Sequence, residues 1–295
     1  MRAASPEARG KRIGGLPMFD DRQWRHVAKA VIAALAVSGC NLTPVANPSD
    51  VPIAPGSTVF ELLQIRDMDR ALNIVFVPDA AYGNQSVLAN RQAFLDDLGN
   101  VVDTGYWENN AYFRNLFLTN FFYMTVTGTA AAPTSGICPV VTWPAQASTD
   151  AAFADLVLLV HKNPLRDCRW GKRATTEPTS FNTIVHESSH ALFNLPDEYC
   201  CDGGYKSFPP VMYTSQSLCQ NDPDNAPWRN CTSFTATSGT TWWRSEDGTV
   251  CLMAGGGPTV LEMGQADWFV ARKVLAALGT PSDPAVFAPT TWDRP

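Results

Sequence analysis

The stretch His186–Tyr199, "HESSHALFNLPDEY", decides how this 295-residue chain is read. It sets two histidines four residues apart, with a glutamate directly after the first. It then runs through Asn194 to the acidic pair Asp197 and Glu198. On a helix, positions 186 and 190 lie one above the other, because four residues make just over one turn. Both imidazoles can then reach one metal ion. Glu187 sits about 100° round from His186 and flanks the same face, placed to act on water without ligating the metal. Zinc lowers the pKa of water from about 16 toward 7, and the carboxylate takes the proton as the water attacks a carbonyl. The competing reading is a core helix whose histidines are satisfied by backbone groups. Against it, only three histidines follow residue 39, and two of them form this pair.

A catalytic zinc needs a third protein ligand. His161 is the remaining histidine, at the end of an apolar run that leaves its direction open. The acidic pair is better placed. If the helix stops soon after His190, the chain can double back and bring a side chain to the metal. Such a stop needs a residue that tolerates left-handed geometry, and Asn194 does. Leu195 and Pro196 lead away from helix, and Asp197 offers the first oxygen, with Glu198 next to it.

The same residues resemble the signature of the IgA-cleaving metallopeptidase family, a metzincin-like group of secreted bacterial zinc endopeptidases. That signature has H-E-x-x-H, then Gly or Asn four residues on, then Leu, a variable residue and D-E-Y. His186, Glu187, His190, Asn194, Leu195, Asp197, Glu198 and Tyr199 match it, and Ser189 departs from the family's common glycine. The resemblance implies that His186 and His190 are zinc ligands, Glu187 the general base and Asp197 the third ligand, with Glu198 the alternative. Common metzincins put that ligand one residue earlier, at the position of Pro196, which cannot ligate. "NIVFVPDAAYG" (73–83) is similar to the family's first strand and following turn, with Ala80 and Ala81 an approximate match. "TVCLMAGGG" (249–257) is similar to the methionine turn below the zinc, with Met253 as its methionine and Met263 a competitor. The fold implied is a single α/β (α+β) domain: a twisted mixed sheet over the zinc helix, and a lower part held by the Met-turn and a last helix. The oxyanion stabiliser is left among Tyr199, Tyr205 and Tyr213.

The rest of the chain fits an exported protein. Arg22, Arg25 and Lys29 precede "AVIAALAVSGC", an apolar run that ends in small residues at Cys40. This is the layout of a secretory signal, and "VSGC" resembles a bacterial lipobox, which implies cleavage before Cys40 and lipidation of its thiol. A buried amphipathic helix is the alternative, but residues 30–39 show no polar face at helical spacing. Translation from Met18 in place of Met1 would suit this layout. The expected organisation is a signal peptide (1–39), lipidated Cys40 with a Pro- and Ser-rich tether (40–55), a catalytic domain (56–279) and a tail (280–295).

Residues 1–39 hold seven of the 22 Lys and Arg and three of the 28 Asp and Glu, which leaves 15 basic and 25 acidic residues, a net −10. Such a surface repels phosphate backbones, so nucleic acid is not an expected partner. The expected partners are a protein or peptide substrate and a membrane reached through the Cys40 lipid, with the chain a monomer facing the periplasm or cell surface. The seven other cysteines would meet an oxidising compartment and pair, with one left over. No C-x-x-C occurs, so a thiolate zinc site is not expected. "QNDPDN" (220–225) is oxygen-rich and a weaker candidate for calcium, without EF-hand spacing.

Locally, "LNIVFVP" (72–78) and "ADLVLLVHK" (154–162) predict buried strands. Residues 86–102 predict a helix, and "FFYMTV" (121–126) an extended segment. Ser180 predicts the N-cap of the zinc helix, which begins at Phe181. Residues 200–250 predict an irregular, disulfide-braced segment, and 265–278 a final helix. The reaction expected is zinc-dependent hydrolysis of peptide bonds in protein substrates. The rivals are an inactive zinc-containing lipoprotein that binds envelope partners, and a zinc amidase acting on cell-wall peptides. Immunoglobulin cleavage is not carried over with the family resemblance.

Overall fold

Leu72–Pro78 is buried at every position, which is what a strand covered on both faces requires. This strand, β2, is at the heart of a computed structural model of the chain that describes residues 51–64, 67–108, 119–198, 205–225, 230–245, 253 and 264–278. β1 is Val59–Leu63, β3 Thr119–Met124, β6 Leu156–Val160, β7 Arg169–Trp170 and β8 Arg173–Thr176. They join β2 in one six-stranded sheet, in the order β1-β3-β2-β6-β8-β7, while β4 (Thr129–Ala131) and β5 (Val140–Thr142) pair with each other in a separate sheet. The pairs β3–β2, β2–β6 and β6–β8 are parallel, and the edge pairs β1–β3 and β7–β8 are antiparallel. The fold is therefore a mixed α/β arrangement of the α+β kind, as expected.

Strand alternation sorts the side chains between two cores. Ile74, Phe76, Phe121, Tyr123, Leu156 and Leu158 share one face with the helices. Val75, Val77, Phe122, Met124, Val157 and Leu159 pack on the other, against Ala147, Ala151 and Ala154. Residues directly opposite across β2 and β6, such as Phe76 and Leu158, fall on the same face, so the register fixes which core each joins.

The expected helix after β2 is α1, Leu88–Asn100, continued by a π-helical segment, Val101–Glu108. Phe94, Leu95, Leu98, Val101, Val102 and Tyr106 are its buried side, whereas Val87 is half exposed at the N-cap. The helix that carries His186 and His190 is α2, Phe181–Phe193, packed against β8 and the π-helical segment. Its middle serines are its contact surface. Ser188 and Ser189 are fully buried, donate back to the carbonyls of Ile184 and Val185, and Ser188 meets the Tyr106 hydroxyl at 2.5 Å. Serine at 189 thus does without the family's glycine by satisfying its own hydroxyl within the turn. Ser180 is the N-cap residue, but its hydroxyl goes to Glu177 and not to a helix amide. The last helix, α4, covers Gln265–Ala277 and packs on α2.

Residues 205–245 are more regular than the sequence suggested. A short helix, α3 (Gln216–Asn221), precedes an antiparallel hairpin of β10 (Cys231–Thr235) and β11 (Thr241–Ser245). β11 also pairs with β9, Met212–Tyr213. Thr, Phe and Trp in "CTSFT" and "TWWRS" are strand formers, and the turn residue Gly239 takes φ 82°, which favours glycine. The cysteines obscured this pattern. Among the described residues they form two disulfides, Cys138–Cys168 and Cys219–Cys231. Cys40, Cys200, Cys201 and Cys251 lie outside the described residues, as do the expected signal and tail and residues 40–50 of the expected tether.

Candidate metal centre

α2 brings the two histidines together as the spacing required. The rings of His186 and His190 lie 4.5 Å apart between centroids, and their Nε2 atoms 3.0 Å apart. The helix ends at Asn194, whose φ 56° and ψ 27° are left-handed, as expected of this residue. That single turn does two things. It aims the Leu195 carbonyl at His190 Nδ1, 2.6 Å away. It also returns the chain so that Asp197 Oδ1 stands 3.1 Å from the Nε2 of both histidines.

Among the described residues, His186, His190 and Asp197 are the group whose donor atoms converge closely enough to hold a metal ion. Two observations test the fit. First, the carbonyl of Leu195 fixes the proton of His190 on Nδ1, so its Nε2 lone pair faces the other two donors. Second, Asp197 Oδ1 is buried, lies at hydrogen-bond distance from both imidazoles, and yet makes no hydrogen bond of acceptable angle. Three lone-pair atoms at 3.0–3.1 Å from one another are mutually repulsive unless a cation or shared proton lies among them. Edges of this length are close to the roughly 3.3 Å of a tetrahedron with bonds of about 2.0 Å. The donor set fits a small divalent cation.

The electrostatics agree. Burial opposes ionisation of Asp197, but the two imidazoles outweigh it and hold the carboxyl well below the ordinary range. Burial would lower His190, and Asp197 reverses that and raises it. Glu187 is buried in the same wall, and its carboxyl is pushed up chiefly by burial. The two imidazoles counter this, while Asp167 and Asp197 add to it. A carboxyl raised in this way takes up a proton more readily, as a general base must.

Glu198, the alternative ligand, does not join the group. Its N–H donates to the carbonyl of Met253 at 2.9 Å, and its own carbonyl accepts from Arg244 at 2.6 Å. Met253 is fully buried and packs in the same core cluster as Leu195. Met263 lies outside the described residues. His161 is fully buried and turned elsewhere: Nδ1 meets the Asn163 carbonyl at 2.8 Å and Nε2 meets Asp167 at 3.0 Å. Of the tyrosines considered for the oxyanion, Tyr205 meets Phe234 edge-on and Trp242 at a tilt, and Tyr213 donates to Asp222. Tyr199 lies outside the described residues. In the "QNDPDN" segment, Asp222 holds Tyr213 and Asp224 pairs with Lys273, so these carboxylates already serve the fold.

The triad opens into a cavity of about 310 Å³. Its wall includes Glu187, Pro196 and Leu195, and also Ile137, Cys138, Arg166, Asp167, Cys168, Arg169 and Lys206. No local sequence pattern pointed to this second group. The disulfide Cys138–Cys168 brings two loops together at the rim, and its pairing could not be read from spacing. No protein-family model matches the chain, and no curated protein matches it significantly.

Proposed function

We propose that the chain is a zinc-dependent endopeptidase, a member of the metzincin-like group that its 186–199 segment resembles. The observation that carries the reading is the convergence of His186 Nε2, His190 Nε2 and Asp197 Oδ1, with the buried carboxyl of Glu187 in the same cavity wall. A neutral imidazole pair with one carboxylate is the set that zinc takes in hydrolytic sites, leaving a position for substrate. Bound there, zinc would supply Lewis acidity toward a carbonyl and toward water.

The chain's own residues do the rest. Glu187, its carboxyl raised by burial, accepts a proton from the attacking water and returns it to the leaving amine. The Leu195 carbonyl keeps His190 in the tautomer that presents Nε2. Met253 supports the ligand loop through the Glu198 amide. A purely structural metal site has no use for Glu187, which separates this reading from that of an inactive zinc-bearing binding protein. Export and lipidation at Cys40 belong to the same proposal, with substrates in the envelope or outside the cell.

The test is zinc content and cleavage of a generic unfolded protein by the wild type and by Glu187→Gln. Zinc in both with cleavage only in the wild type is expected. Zinc in both with cleavage in neither would favour the binding-protein reading, and absence of zinc from both would sink the metal site. Cleavage of cell-wall peptides alone would identify an amidase.

A further inference from the structure

The chain is acidic, with a net charge of −6, yet the wall of its metal cavity carries Arg166, Arg169 and Lys206. The carboxylates in that wall each have another task. Asp197 stands against two imidazoles, Asp167 is held by His161, and Glu187 is the buried acid beside the histidines. A divalent ion on the triad offsets Asp197 and Glu187. The arginines and the lysine then set the sign of the field at the opening.

These cations come from both sides of α2 in the sequence, and the fold positions two of them. Arg169 pairs through its backbone with Ala174 at the sheet edge and follows Cys168, which is bonded to Cys138. Lys206 donates to Asn194 Oδ1 at 3.0 Å and lies over the Phe208 ring at 5.1 Å. Asn194 thus ties the lysine to the turn that delivers the third ligand. Beside them the wall is apolar at Leu195, Pro196 and Ile137, the last of these 52% exposed. Cations interleaved with aliphatic surface suit a peptide carrying a carboxylate better than a uniformly charged polyanion.

Resting on the peptidase reading above, we propose that this cleft selects protein segments with an Asp or Glu side chain close to the scissile bond, engaged by Arg169 and Lys206 with Arg166 contributing to the field. A cleft lined by one sign of charge concentrates ligands of the other, and arginine forms paired charge-assisted bonds with carboxylates. The selection is opposite in sign to what the acidic surface as a whole would favour.

The experiment uses matched short peptides that differ only in Glu, Gln or Lys beside the cleaved bond. Cleavage is followed with the zinc-loaded wild type, and binding by fluorescence anisotropy with zinc-loaded Glu187→Gln. The Glu peptide is expected to exceed the Gln peptide by about tenfold in both kcat/KM and affinity. Added salt should shrink the ratio. Arg169→Gln with Lys206→Gln should bring it near unity, while Arg169→Lys with Lys206→Arg should keep much of it. Equal binding of the Glu and Gln peptides by the zinc-loaded protein overturns the inference, whatever the variants do. So would an oligonucleotide that outcompetes the Glu peptide. Cleavage without preference would remove the inference and spare the peptidase reading; a binding preference without any cleavage would do the reverse.

Discussion

Removing the carboxylate of Asp197 should abolish tight metal binding, while removing that of the adjacent Glu198 should not. Asp197 Oδ1 is 3.1 Å from each of two Nε2 atoms that are themselves 3.0 Å apart, so it is one of three donors and the anion among them. Loss of an outer-shell partner typically weakens metal binding 10- to 100-fold. Loss of a direct ligand should exceed that, so Asp197→Ala should weaken zinc binding by more than about 100-fold. A second effect appears without metal. With no carboxylate at 197, His190 loses the largest of the influences that raise it, and burial shifts it toward the neutral form. Breaking a buried pair from one side costs about 3 kcal/mol, which the metal-free variant should show as reduced stability. For Glu198, the contacts that hold the segment run through its peptide group to Met253 and Arg244. Glu198→Gln leaves these in place and should keep zinc affinity within about threefold. The assay is competition against a chromophoric zinc chelator, with melting curves in chelator and in zinc. Loss of zinc by Glu198→Gln together with retention by Asp197→Ala would refute the assignment.

Three further outcomes are expected. Asn194→Gly should fold and bind zinc with only a small loss, because φ 56° suits glycine although the Lys206 tie to the side chain goes, whereas a β-branched Asn194→Val should cost about 2 kcal/mol and displace the ligand turn; urea unfolding and zinc titration of both variants check this. Replacing Cys138 and Cys168 together opens a bridge across 30 residues and should lower stability by about 3.5 kcal/mol on the loop-entropy account, measured by reversible denaturation. His161, which burial would lower, is raised above its ordinary 6.5 by Asp167. The stability this pair gives is therefore full below that ordinary value and lost as pH rises through the raised one. The difference in Tm between the wild type and His161→Gln should shrink as pH rises from below the ordinary value through the raised one, and a constant difference would dismiss the ion pair.

What could be read in the sequence was whatever a single local element decides. The buried strands β2 and β6 are continuous apolar runs, and a run of that kind has few other ways to exist in a folded chain. The His186–His190 pair follows from helical repeat alone, and the left-handed Asn194 from the small set of residues that accept it. What escaped depended on partners distant in sequence. His161 was open in direction because its partner Asp167 is in a loop with no periodic pattern. The β9–β11 sheet was masked because its flanking Cys, Gly and Pro suggested irregularity, although its strands carry strand-forming residues. The cavity wall around Cys138, Arg166 and Arg169 exists only once the disulfide has closed, and connectivity is not encoded in spacing.

The ligand turn shows why so short a segment carries so much information. A metal site assembled from three distant elements would depend on the tertiary packing of each. Here His186 and His190 share one helix, and Asp197 follows that helix by four residues. One backbone conformation at Asn194 sets the tautomer of His190 through Leu195 and the position of Asp197 together, so an error in that conformation would remove both at once. The fold's contribution is then to keep the turn from relaxing. It does so through Met253 on the Glu198 amide and through Lys206 on the Asn194 side chain. The site is local in its ligands and tertiary in its rigidity. That division explains why the residues can be read from fourteen letters while the charge and shape of the cleft around them cannot.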